Sequence, residues 1–253
     1  MLYFKFVDLN KQYYYKIKKM KFLQNVFLLC LCGLCSATNS LRNVNEMITN
    51  RSVIIGDSMF WSGWLFFGGQ PSPLSKWLET WAGHSIENHA LVGASLENGW
   101  VKSIRAQYDS LNKQPNITTL IMDGGGNDVI SHRGDCEQFN NACVSMINNS
   151  LSIAAGIFNS AYHDGVSNIL YLGFYYLPGL DRAADYANPA LAEICKNATV
   201  NCHFIDPRYN ATTGTGLPTP AMLGPDGLHP NEDGYKLLAS MIWNVSVNNS
   251  IPI

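Results

Sequence analysis

The sequence runs to 253 residues, 47% of them hydrophobic and 14% charged, with a formal net charge of -2. That composition fits one globular domain large enough to bury a sizeable core. The near-neutral balance, with no Lys/Arg run beyond the N-terminal segment, excludes a nucleic-acid binder, which needs a basic face for phosphate.

Residues 1–37 read as an N-terminal extension and signal peptide, and 38–253 as a single domain. Lys16, Lys18, Lys19 and Lys21 precede a mostly apolar stretch from Phe22 to Ala37 that ends on the small residues Ser36 and Ala37. This is the charge, apolar core and cleavage-site order of a secretory signal. From Met20 the segment has the usual signal-peptide proportions. It is short for a membrane span, which needs roughly 20 apolar residues, so no stable membrane insertion is expected after cleavage. The expected location is secreted, or periplasmic in a bacterium. Cys30, Cys32 and Cys35 lie in this stretch, whereas Cys136, Cys143, Cys195 and Cys202 lie in the body of the chain. Four cysteines allow three connectivities; pairing Cys136 with Cys143 and Cys195 with Cys202 closes two short local loops. Asn-x-Ser/Thr acceptors at Asn50, Asn116, Asn148, Asn197, Asn210, Asn244 and Asn248 suit a eukaryotic secretory route.

The first strand is expected over Ser52 to Ile55, an apolar, β-branched run that stops at Gly56-Asp57-Ser58. Ser58 would then stand at a strand's carboxyl end, the edge where open α/β sheets bind ligands. Trp61, Trp64, Phe66 and Phe67 follow, mixed with Ser62, Gly63 and Gly68; a helix is expected from Leu74 to Trp81. Ser85 to Val92 reads as a second strand ending at Gly93. Leu96 to Leu111 reads as an amphipathic helix with Trp100, Ile104, Tyr108 and Leu111 on one face. Ile117 to Met122 is the third strand, leading into Gly124-Gly125-Gly126-Asn127-Asp128. A polar loop is expected from Asp128 to Asp135, then a long helix from Cys136 to Tyr162 with a kink or junction near Cys143. A fourth strand covers Ile169 to Gly173, a helix Pro189 to Asn197, a fifth strand Cys202 to Asp206 and a last helix Asn231 to Val245. Strand and helix alternate about five times, which implies parallel strands with right-handed crossovers and helices on both faces.

Gly56-Asp57-Ser58, Gly93 after the second strand, Gly126-Asn127-Asp128 and Asp226-Gly227-Leu228-His229-Pro230 together resemble, in content and order, the four signature blocks of the SGNH hydrolases, also called the GDSL esterase and lipase superfamily. The resemblance covers about Arg51 to Met241. It implies a flavodoxin-like three-layer α/β/α sandwich with a mostly parallel five-stranded sheet. Carried over position by position, it makes Ser58 the nucleophile, Asp226 and His229 the rest of the triad, and Ser58, Gly93 and Asn127 the oxyanion-hole donors, with no metal and no cofactor.

The residues suit that chemistry. Serine is inert without a base, and of the six histidines only His229 has a carboxylate, Asp226, in the same short loop. An Asp three residues upstream can hold Nδ1 of the imidazole and leave Nε2 to face Ser58. A glycine at 93 lets a backbone N–H approach closely, and Asn127 has a side-chain amide to offer. Asp57 and Asp128 read as structural, accepting from loop N–H groups. There is no Gly-x-Ser-x-Gly elbow, Walker loop or His-Glu-x-x-His zinc site.

The expected function is a secreted serine esterase acting on short acyl groups, such as O-acetyl on carbohydrate. Its partner is a small-molecule, polysaccharide or lipid ester. The alternatives are a lipase or lysophospholipase, a thioesterase, an acyltransferase, or a non-catalytic secreted binding protein, the last disfavoured by an intact Ser58, Asp226 and His229. Nothing in the sequence specifies an oligomeric state.

Overall fold

The computed structural model describes residues 51–61, 73–97, 99–219 and 222–253. Trp64, Phe66, Phe67, the signal-peptide segment and the Asn50 acceptor lie outside these residues. Five strands, β1 (Ser52–Ile55), β2 (Glu87–Asn88), β3 (Thr119–Met122), β4 (Asn168–Leu172) and β5 (Asn201–Ile205), form a sheet of order β2-β1-β3-β4-β5. Every pairing is parallel, with Ser52 opposite Thr119 and Thr119 opposite Asn168. This is the flavodoxin-like order, in which the crevice opens where connections leave β1 and β3 in opposite directions.

Because side chains alternate across a strand, the same apolar runs supply two cores. Val53, Ile55, Leu120, Met122, Ile169 and Tyr171 face one of them. There they meet α2 (Ile104–Asp109), α3 (Gly126–Ser131), α5 (Asn141–His163) and α6 (Asp181–Lys196). Ile54, Ile121, Leu170 and Leu172 face the other, against α1 (Pro73–Ala82) and α7 (Glu232–Asn248). The result is three layers. At the amino edge of the sheet, Ser52 Oγ and Thr119 Oγ1 both donate to the carbonyl of Pro252, at 3.3 and 2.6 Å, and Ile251 is buried beside them.

Several elements differ from expectation. β2 is two residues long rather than eight, although His89 and Leu91 N–H groups continue the pairing to Ile54 and Gly56 carbonyls. The Asn88 side chain interrupts it by bonding Phe60 O and Ala90 N. The helix expected from Leu96 begins only at Ile104, capped by Ser103, whose hydroxyl accepts from Ala106 N–H. Leu96 instead donates its N–H to Asp128 Oδ2 at 2.9 Å, and Trp100, expected on the buried face, is fully exposed.

The stretch expected as a polar loop after Asp128 is helical, forming α3 and then α4 (Arg133–Gln138). The junction before α5 falls at Phe139, in the left-handed region with φ 52°, and at Asn140, which caps the Ala142 and Cys143 N–H groups. α6 begins eight residues before Pro189 rather than at it. Burial of Ala183, Ala184, Ala187 and Asn188 outweighs the amide that proline lacks. The structure carries both short disulfides, Cys136–Cys143 and Cys195–Cys202.

Candidate active site

Ser58, Gly93, Asn127 and His229 converge at the carboxyl edge of the sheet, in a cleft of about 260 Å³ that they line among others. Two buried amide side chains hold the strand exits that frame it. Gln107 of α2 accepts from the Gly56 N–H and donates to the Gly56 carbonyl, both at 2.9 Å. Asn188 of α6 does the same for Phe174, at 2.9 and 2.7 Å. Each amide satisfies backbone polar groups at the point where the chain turns away from the sheet.

Ser58 lies three residues past the end of β1 and is 8% exposed. Its Oγ lies 2.8 Å from His229 Nε2, and His229 Nδ1 lies 2.6 Å from Asp226 Oδ2. An ionised carboxylate only accepts, so Nδ1 carries the proton and Nε2 is left to accept from the Ser58 hydroxyl. The His229 loop is stapled to itself: Asp226 Oδ1 accepts from Leu228 and His229 N–H groups at 3.0 and 2.9 Å, and Gly224 N–H donates to His229 O at 2.7 Å. Tyr175, just past β4, donates its hydroxyl to Leu228 O and so props the loop from beneath. Burial works to raise the Asp226 carboxyl, but the hydrogen bonds from His229 and the two N–H groups outweigh it and hold the acid below its usual range.

The backbone N–H groups of Ser58 and Gly93 make no hydrogen bond within the described residues and border the cleft. Gly93 has φ 76°, a conformation that costs glycine little. Asn127 opens the first turn of α3. Its Nδ2 donates to Ala94 O at 3.0 Å and to Asp57 Oδ2 at 3.2 Å. Asp57 Oδ1 in turn accepts from Met59 N–H at 2.9 Å. Asp57 and Asp128 thus both accept from loop N–H groups. Burial raises both carboxyls, against the pull of the Met59 N–H on Asp57 and of the Leu96 N–H on Asp128.

The site contains one acid that the sequence reading passed over. Asp123, at the end of β3, is buried and accepts the Asp57 N–H at 2.9 Å through Oδ1. Its one sequence signal is its place beside Gly124, at the mouth of a glycine-rich turn. Phe60, next after Met59 in the turn that leaves β1, is fully buried in the core. The remaining cleft wall is apolar, with Val92, Ile130, Phe174 and Leu177 prominent.

Residues 54–237 match the family described as GDSL-like Lipase/Acylhydrolase. The chain belongs to this family. As a GDSL-like acylhydrolase it is an ester-bond hydrolase. Solved structures share the fold at low identity. TesA superposes with a TM-score of 0.57 at 14% identity, over 78% of this chain and 98% of that one. The psychrotrophic esterase EstA from Pseudoalteromonas sp. gives 0.55 at 15%, over 79% and 98%. A carbohydrate esterase family 3 protein from Talaromyces cellulolyticus gives 0.53 at 17%, over 79% and 97%. No curated protein matches the sequence. Among the described residues of this GDSL-like hydrolase, no helix is long and apolar enough to cross a membrane, and no group of His, Cys, Asp and Glu side chains is arranged to hold a metal ion.

Proposed function

We propose that the chain is a secreted serine esterase in which Ser58 Oγ attacks the ester carbonyl, His229 takes the serine proton and returns it to the leaving alcohol, and Asp226 steadies the imidazolium. The observation that carries this is the unbroken relay from Asp226 Oδ2 to His229 Nδ1 at 2.6 Å and from His229 Nε2 to Ser58 Oγ at 2.8 Å. The oxyanion that develops is met by the Ser58 and Gly93 N–H groups and by the Asn127 amide, donors fixed in place before charge appears. Water then repeats the sequence on the acyl-enzyme. A fluorophosphonate probe should label Ser58 and fail on Ser58→Ala; labelling elsewhere with undiminished turnover would remove the assignment.

Secretion is supported by the N-terminal pattern, by two disulfides and by the exposure of Asn116, Asn148, Asn197, Asn210, Asn244 and Asn248, the six described glycosylation acceptors. For the acyl group we propose a short chain, such as an O-acetyl on carbohydrate. The cleft is small, one neighbour of the same fold is named a carbohydrate esterase, and Trp100, seven residues after Gly93 in sequence, offers an exposed flat ring. A second reading, a lipase or thioesterase for longer chains, is favoured by the apolar wall of Val92, Ile130, Phe174 and Leu177.

A further inference from the structure

Asp123 stands outside the relay, yet the loops on both sides of the cleft are tied to it. Its carboxyl fills the space that a side chain at position 56 would need. A Cβ on Gly56, whose φ is 151°, would stand 2.0 Å from Asp123 Oδ1. Glycine at 56 therefore lets the exit of β1 close down on this acid. Beside it, Asp57 is equally buried, its N–H donates to Asp123 Oδ1 at 2.9 Å, and its charge bears on the Asp123 carboxyl. Two carboxylates in contact away from water cannot both be ionised, so the pair holds one proton.

We propose that Asp123 is a positioning residue for catalysis. As the neutral acid it donates to the Asp57 carboxylate, and through Asp57 it fixes both the turn that carries Ser58 and the amide of Asn127. The links are direct: Asp57 N–H to Asp123 Oδ1, Met59 N–H to Asp57 Oδ1, and Asn127 Nδ2 to Asp57 Oδ2. The oxyanion site stays assembled only while the pair keeps its proton. This rests on the reading of Ser58 as nucleophile and Asn127 as donor.

The surroundings favour keeping it. Burial first, and then the Asp57 charge, hold the Asp123 carboxyl well above the usual range. From α3 the Asp128 charge opposes ionisation of Asp57, whereas a charged His229 favours it. Tyr171 on β4, Tyr175 beyond it and Tyr235 on α7 also feel these acids, and Tyr175 and Tyr235 feel Asp226 as well; burial foremost pushes all three phenols up. That direction favours the neutral phenol in each case. Loss of the acid pair's proton would set two negative charges against each other in a dry site, separate the carboxyls and release Asn127.

The test compares wild type, Asp123→Asn and Asp123→Ala, with kcat and KM for p-nitrophenyl butyrate measured from neutral to alkaline pH alongside thermal melts. Asp123→Ala should lower kcat about 10²-fold, the size expected for a misplaced oxyanion donor, with KM nearly unchanged. Asp123→Asn keeps an acceptor for the Asp57 N–H and a donor for the Asp57 carboxylate but has no proton to lose. It should recover at least about a tenth of the wild-type kcat, and its kcat relative to wild type should climb as pH rises. Wild-type kcat in Asp123→Ala, or an Asn-to-wild-type ratio that stays flat with pH, overturns the proposal. Should Asp123→Ala not fold, the ratio alone decides. A wild type that neither turns over nor is labelled at Ser58 overturns the underlying reading together with this one.

Discussion

Asn127 Nδ2 lies 3.2 Å from Asp57 Oδ2, so the amide proposed to meet the oxyanion is anchored by the residue next to Ser58. Its other hydrogen is directed to Ala94 O at 3.0 Å. A substrate oxygen must therefore share a hydrogen already in use, which makes the anchoring geometry matter as much as the amide itself. Asn127→Ala should lower kcat by roughly 10²- to 10³-fold, with KM little altered. Asp57→Asn turns one anchoring oxygen into a donor; whichever way its amide is turned, either Asn127 or Met59 N–H then faces an NH₂ group. A loss of about tenfold or more in kcat is expected. Steady-state kinetics on both variants checks this, and unchanged kcat in Asn127→Ala with only a lowered melting temperature would dismiss the donor role.

The relay makes a separate demand. Asp226→Asn preserves shape but lets the imidazole settle with its proton on Nε2, the wrong nitrogen for accepting from Ser58. Turnover should fall by about 10⁴-fold. A drop smaller than about tenfold, measured in single-turnover experiments with an activated ester, would mean that Asp226 does not govern the histidine.

Stability should respond to pH in opposite senses at two acids. Asp226 is held below its ordinary 3.8 in the folded chain, so its contribution is present above that value and is lost as pH falls through the folded pKa. Asp123 is held well above 3.8, so its contribution is full below that value and is lost as pH rises toward the folded pKa. Thermal melts should accordingly show Asp123→Asn gaining on wild type from acid to alkaline pH, and Asp226→Asn gaining on wild type only on acidification. Parallel melting curves across pH for either variant would contradict the corresponding assignment.

Each disulfide spans a sequence separation of 7. Cys136–Cys143 brackets the left-handed turn at Phe139 between α4 and α5, and Cys195–Cys202 fastens the end of α6 to β5. For loops this short, replacing one pair with serines should cost about 2 to 3 kcal/mol. Denaturant titration measures that loss, and peptide mapping without reduction should recover the two local pairs and no crossed one.

Acyl-chain preference separates the two substrate readings. Each buried methylene is worth about 0.8 kcal/mol, so an open apolar groove would steepen kcat/KM with chain length. Across p-nitrophenyl acetate, butyrate, octanoate and palmitate, kcat/KM should fall from acetate or butyrate onward. A rise through octanoate would transfer the assignment to the lipase reading.

The strands and the residues at their ends were legible because each carries a local signal. An apolar β-branched run stops at a glycine turn, and a histidine shares a short loop with an acid. What was hidden depends on distant partners. Gln107, Asn188, Tyr175 and Asp123 each hold a strand exit or a loop, and no periodicity announces a buried amide, phenol or acid. Trp100 misled for the related reason that spacing alone cannot tell a helix from a loop when Leu96 finds its partner in Asp128. Pro189 misled because it marks a helix start only where the chain before it has nothing to bury, and Ala183, Ala184 and Ala187 do.

The Pro252 carbonyl, held by Ser52 and Thr119, fixes the last residues at the amino edge of the sheet, the pole opposite the cleft. A bead, an electrode or a display scaffold coupled through Ile253 would therefore meet the molecule from behind. The cleft would face the medium without a long spacer, which recommends position 253 over surface lysines for oriented immobilisation.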